Sequence, residues 1–597
     1  MAAPGTMLRA SLLGFTFLVA IDATSIVLSV STITADLGGN ATQSFWVGAS
    51  YLLSMCLAQP LISRLTDVFI LKSLALASIM MLGIGSLLCE SANGLPLLLT
   101  GRTVQGLGAG GLTVLSYAVH VDTNKSSVPK SSSGLKFLAA ISISVAAGTI
   151  CGPFIGAVLS NSHEWRWIFR LNIPMCIVLG VLVYNDGNVP GQFTSTTEPE
   201  GSTRNNSDVP NAEPITKNLS DLDFVGIVLF LTSIAPLLVG LSFAGSLYRW
   251  DEWQVIVPIT AGGVLLLLLI VKELWPTSAF FRLRSKNTSQ KPLIGLEALK
   301  GKQGFIIFGG AFWLGLLMYA LLFFLPIYYR IVKERSAIAT AVFLLPQTLM
   351  MAPCAGVVLV LVRLLRLHCS CTVLLGWFCT AIGMGLLALL GAERSAASDV
   401  SLNLLSGFGI GVLLSALAYS AQEDKKETNL READKKDASV REENKEGTKV
   451  QEATMLFIFM RYLGSASGLV IVGLVFQRLL RSNLGSTKFS GEADNMTKYA
   501  TTLMYSIQEM PNLEDKKILI NVTEKTLRTV WLSLSLSSVA MFLLSCGTFV
   551  ARREEQEPKA QVHEPSIDSL SQHPNIEKPR LELDLESDDE ETLGIKL

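Results

Sequence analysis

Apolar residues run along this chain in long blocks separated by short polar segments. Runs bounded by charge or by Gly, Pro and Asn clusters lie near 8–32, 45–63, 72–90, 96–118, 135–159, 166–185 and 223–242, then 254–273, 304–326, 337–361, 370–391, 398–420, 454–477 and 528–550. Most approach the roughly 20 residues a helix needs to cross a hydrocarbon layer about 30 Å thick. The pattern predicts an all-α polytopic membrane protein with 14 transmembrane helices. An even count puts both ends of the chain on one side.

Polar residues inside these blocks carry the chemistry. Asp22 is the only ionisable group in the first block (AIDATSIVLSVSTI), and Arg102 and Gln105 lie in the fourth. A charge at membrane depth costs about 3 kcal/mol on insertion scales, so it normally faces a polar interior. Asp22 therefore marks either a proton or substrate path, or a carboxylate held by interhelical hydrogen bonds without turnover. A buried guanidinium demands acceptors, and a carboxylate whose proton affinity Arg102 controls would make a coupling device. Gly101, Gly106, Gly108, Gly110 and Gly111 give the fourth block a flat face for close helix contact. In the fifth, Gly148, Gly152, Pro153 and Gly156 fit an ordinary bent helix or a hinge between two packed states.

Composition agrees with a membrane protein. Of the 597 residues, 50% are hydrophobic and only 16% charged, against about a quarter charged in soluble domains. The short segments holding Arg64 and Lys72, Lys125 and Lys130, Arg282 to Lys286, and Arg363 and Arg366 are basic, which predicts a cytoplasmic side shared with both termini. Arg330, Lys333 and Arg335 run against that rule. The first block has no convincing cleavage site and reads as a retained helix.

Outside the blocks, 186–222 reads as a disordered cytoplasmic linker. The stretch 422–452 interleaves opposite charges and reads as a solvated loop in preference to an exposed helix. The tail from 552 is acidic, with an acidophilic kinase pattern at Ser587. Sequons at Asn40, Asn495 and Asn521 fall on the side expected to be outside, while those at Asn205, Asn218 and Asn287 fall inside. The nine cysteines and five histidines form no disulfide framework or metal cluster. No cofactor, enzyme activity, ATP drive or nucleic-acid partner is expected, because no phosphate loop or nucleophile–base pair is present.

Several motifs together resemble the major facilitator superfamily, in particular its fourteen-spanner drug:proton antiporters common in fungi. They are Asp22-Ala-Thr24, Trp46 to Tyr51, the complete R-x-x-Q-G-x-G-x-G from Arg102 to Gly110, and G-x-x-x-G-P-x-x-G from Gly148 to Gly156. Trp165 to Phe169 and Asn172-Ile-Pro174 match the family's sixth-span entry. In the second half FFLPIYYRIV (Phe323 to Val332), FLLPQ (Phe343 to Gln347) and FMRYLGSASG (Phe459 to Gly468) agree.

The resemblance implies two six-helix bundles at 1–185 and 274–551, joined by two extra helices at 223–273. Proton coupling falls to Asp22, Arg102 and Gln105, and antiport to Gly148, Gly152, Pro153 and Gly156. A cytoplasmic gate falls to Arg64, Asp67 and Lys72. Trp313, Tyr319, Trp377 and Arg461 are candidate substrate-cavity residues. The gating motif departs from the family pattern, since both glycines and its Arg are lost, which implies a latch either weakened or rebuilt around Arg64. Arg330 stands where the family has Gln, and Ser31 where it has Pro.

The implied function is proton-coupled export of small hydrophobic molecules by a monomer in the cell membrane or a vacuolar membrane. The alternatives are a siderophore or basic amino acid transporter, an organellar exchanger, or a non-transporting sensor.

Overall fold

Helices occupy all 14 predicted places in the computed structural model, which describes residues 6–125, 133–186, 222–244, 248–274, 293–299, 301–364, 369–433, 443–491, 493–498 and 512–556. In chain order they are α1 (Thr6–Asp36), α2 (Ala41–Leu65), α3 (Leu71–Glu90), α4 (Leu95–Lys125), α5 (Ser133–Asn161), the one-turn α6 (Trp167–Arg170) and α7 (Asn172–Asn185). Then follow α8 (Phe224–Phe243), α9 (Trp253–Leu274), α10 (Lys302–Ile327), α11 (Ala337–Leu364), α12 (Cys369–Leu387), α13 (Ala396–Ala433), α14 (Glu443–Gly485), the short α15 (Ala493–Lys498) and α16 (Leu513–Gln556). Twelve membrane-length apolar helices are present among the described residues. The Gly, Thr, Arg and Gln of α4 dilute its apolar content, and the apolar part of α11 is the shorter Ala337–Met351.

Packing repeats between the halves. α1 lies against α5, and α4 against both α2 and α3; nine helices later α10 lies against α14, and α13 against both α11 and α12. α8 and α9 pair with each other, while α14 meets α2 and α11 meets α5 across the middle. Glycines permit the closest approaches. A Cβ at Gly152 or Gly156 would collide with Thr24 Oγ1 or the Ser25 carbonyl on α1, so α5 presses backbone to backbone on the helix that carries Asp22. Small residues do this between membrane helices because dispersion, with no hydrophobic drive, must supply the attraction.

The helices depart from the predicted spans in two ways. The sixth span breaks at Leu171, where Pro174 has no N–H for the carbonyl four residues earlier. Three helices outrun their apolar cores: α13 continues to Ala433, α14 begins at Glu443, and α16 begins at Leu513 instead of 528. Much of the stretch 422–452, expected to be a loop, is thus helical. Glu, Lys and Ala propagate a helix once a buried segment has nucleated it, and opposite charges three or four residues apart support it. Residues Met1–Phe549 form one unit and Val550–Leu597 a second, described only to Gln556 at the end of α16. The expected linker 186–222 and acidic tail lie almost wholly outside the described residues.

Candidate functional site

Asp22 lies near the middle of α1, 1% exposed, facing α4. Arg102 and Gln105 are three residues apart on α4, one helical turn, so both reach the same carboxylate. Arg102 donates an N–H to Asp22 Oδ2 at 2.7 Å and another bond to Gln105 Oε1 at 2.7 Å. Gln105 Nε2 donates to Asp22 Oδ1 at 3.1 Å and to Ser86 Oγ on α3 at 2.9 Å. Asn172, the first residue of α7, donates to Asp22 Oδ1 at 2.9 Å. The guanidinium also donates through Nε to the Val47 carbonyl at 3.3 Å, and the Tyr51 ring lies 4.1 Å away beneath it. Five helices thus meet in one network, with α4 and α7 bonding the carboxylate itself. Every expected proton-coupling residue is in this network; Ser86 and Asn172 join it unannounced.

A charged pair sealed from water costs several kcal/mol of desolvation per ion unless hydrogen bonds satisfy the remaining sites. Here both carboxylate oxygens and three guanidinium donor directions are engaged. The pair is held mainly by its neighbours, and a change of charge on either partner disturbs α1, α3, α4 and α7 together.

The other face of α1 borders a cavity between the halves. Ala20, Ala23 and Thr24 line it, one or two residues from Asp22. Tyr319 and Arg461 line it from the second half, beside Tyr462. Trp313 and Trp377 do not. Trp313 turns its indole N–H to Ser537 Oγ at 3.0 Å, and Trp377 is fully buried inside the second bundle beside Gly310. The antiporter-motif residues Gly148, Gly152 and Gly156 press on α1, with Pro153 inside α5.

Of the expected gate, Arg64 and Asp67 stand 3.8 Å apart. Arg64 reaches further, to Glu452 on α14 at 3.4 Å and to the Leu293 carbonyl at 3.3 Å. That bond joins the first half to the second. Lys72 turns away, donating to the Asp186 carbonyl at 2.6 Å, while Asp186 Oδ2 accepts the Leu8 N–H at 2.8 Å. Glu452 sits in a charged run where no single acid stands out. Among the sequons, Asn40 caps α2 through Gln43, Asn495 belongs to α15, and Asn521 lies exposed on α16.

The Major Facilitator Superfamily family model matches residues 12–218, the region that builds the Asp22 network. The chain is similar to "MFS transporter L2" of Phoma sp., 28% identical over 536 residues, covering 89% of this chain and 80% of that protein. It is also similar to "MFS-type efflux pump LUC4" of Fusarium sp., 26% identical over 541 residues, covering 89% and 85%. Among solved structures, an inward-facing, occupied bacterial homologue of the human lysosomal transporter Spinster superposes with a TM-score of 0.54 at 14% identity, covering 92% of this chain and 98% of that one. With twelve membrane-length apolar helices among the described residues, these similarities mark a multi-pass membrane protein with the fold of membrane transporters, similar over residues 12–218 to the major facilitator superfamily.

Proposed function

We propose that this protein exports small, largely hydrophobic organic molecules in exchange for protons, as a monomer in the cell membrane. The observation that carries the reading is the Asp22–Arg102–Gln105 network, sealed from water, on the helix whose opposite face borders the central cavity. A proton added to Asp22 removes the charge that pairs with Arg102. The guanidinium then keeps Gln105 Oε1, the Val47 carbonyl and the Tyr51 ring, and α1 is tied less firmly to α4. Because α1 moves against the glycines of α5, that loosening reaches the cavity wall. Two bundles rocking about a midplane site give alternating access.

The energetics are sufficient. One proton entering down 100 mV supplies about 2.3 kcal/mol, enough to hold a neutral solute at roughly a fifty-fold gradient. Relatives named as efflux pumps support export over import. The basic segments place the Arg64–Glu452 end in the cytoplasm, where that pair would close the inner mouth. Cavity and network are each complete within one chain, which supports a monomer.

Comparative export tests the reading. Small molecules retained and released are compared by mass spectrometry in cells carrying the native protein, Asp22→Asn, Arg102→Ala or none. Species released only by the native protein are the expected result. Release that survives Arg102→Ala removes the coupling role; no difference from the empty cells removes export altogether.

A further inference from the structure

One charge in the cavity has no use in the proton network. Arg461, on α14, is 6% exposed and lines the cavity, yet no acidic residue lines it with Arg461 among the described residues. The groups facing the guanidinium are phenols, those of Tyr117, Tyr319 and Tyr462; Tyr462 hydrogen-bonds it, and the Tyr462 ring lies 4.5 Å away. Its Nε has no hydrogen-bond partner. A buried cation is ordinarily paired or fully hydrogen-bonded, because desolvation is otherwise uncompensated. Arg102, at similar depth, shows the satisfied case.

The backbone that carries Arg461 is held firmly. Side chains at Gly315 and Gly464 would collide with the Arg461 and Phe312 carbonyls, so α10 and α14 touch at this level and leave the side chain only the cavity to occupy. The remaining walls are apolar (Val19, Ala20, Ala23, Met318) with hydroxyls at Thr16, Thr24, Thr113 and Thr149. An apolar pocket with one fixed cation and a few hydroxyls selects by charge sign as well as by shape.

We propose that the transported molecule is an organic monoanion, an apolar body bearing one carboxylate, and that Arg461 binds that carboxylate through its unpartnered Nε–H and the adjoining N–H of its fork. This rests on the export reading and specifies the substrate class. Arginine suits the task because its planar fork meets a carboxylate through two parallel hydrogen bonds, which an ammonium cannot reproduce.

The test is equilibrium binding to the purified full chain in lipid nanodiscs. The probes are radiolabelled benzoate, 1-naphthaleneacetate and decanoate, each beside its methyl ester. The native protein is expected to hold at least one acid about 10- to 100-fold more tightly than its ester, the worth of a charge-assisted hydrogen bond. Arg461→Gln should erase that preference and Arg461→Lys should retain part of it. Equal binding of acid and ester, no acid bound by the native protein, or a preference that survives Arg461→Gln overturns the proposal. Proton-driven flux of the same probes in proteoliposomes separates the two readings. Selective binding without flux sinks export alone, whereas flux of neutral esters unaffected by Arg461→Gln sinks the anion site alone.

Discussion

Asn172 has the least conspicuous role in the network at Asp22. Its amide holds Asp22 Oδ1 from a helix that only begins there, after the break at Leu171. Asn172→Ala leaves that oxygen with Gln105 alone, and loss of a hydrogen bond to a carboxylate should cost about 1.5–3 kcal/mol, read as a lowered midpoint in thermal unfolding of the purified protein. Asp22, Arg102 and Gln105 were legible in the sequence because an ionisable or amide side chain in an apolar run is conspicuous. Ser86 was not, being one serine among many that bond their own helix. The aromatic candidates divided for another reason: a membrane helix apolar all round has no period to say which face is inward. Tyr319 faces the cavity, whereas Trp377, an equally conspicuous aromatic in an apolar run, faces the core of its own bundle.

Among the elements, the contact of α1 with α5 has the least slack. Ser29 Oγ on α1 donates to the Gly156 carbonyl on α5 at 2.8 Å, a bond possible only because no side chain separates the backbones. Gly152→Leu should push the helices apart, at a cost of about 1–3 kcal/mol for overpacking or more, and should abolish transport while the protein still reaches the membrane. Flux and surface abundance measured together check this; normal flux in Gly152→Leu would show that the contact tolerates separation. Helix positions were legible in the sequence because lipid demands about 20 apolar residues. Helix ends in water were not. Nothing in hydropathy says that a charged run continues a helix, and α13, α14 and α16 all do so.

For the whole molecule, the two-bundle arrangement was an expectation of the family resemblance, but the ion pair that ties the bundles was not. It runs through Arg64 and Glu452, and Glu452 is visible only once α14 is known to be helical well before its apolar core. At 43 residues α14 is about 65 Å long, roughly twice the thickness of the hydrocarbon layer. Glu452 and Arg461 ride on it nine residues and about 14 Å apart. One alanine inserted between Thr454 and Met455 turns one against the other by about 100° and should leave acid binding intact while export falls at least about tenfold. Four inserted residues, close to a full turn, should recover much of it. Retained export in the one-residue insertion would mean that the two sites act separately. On the proposed reading α14 would act as a strut: a pull on the guanidinium at one end would displace the carboxylate at the other, and the cargo itself would work the inner mouth, as a rod works a latch.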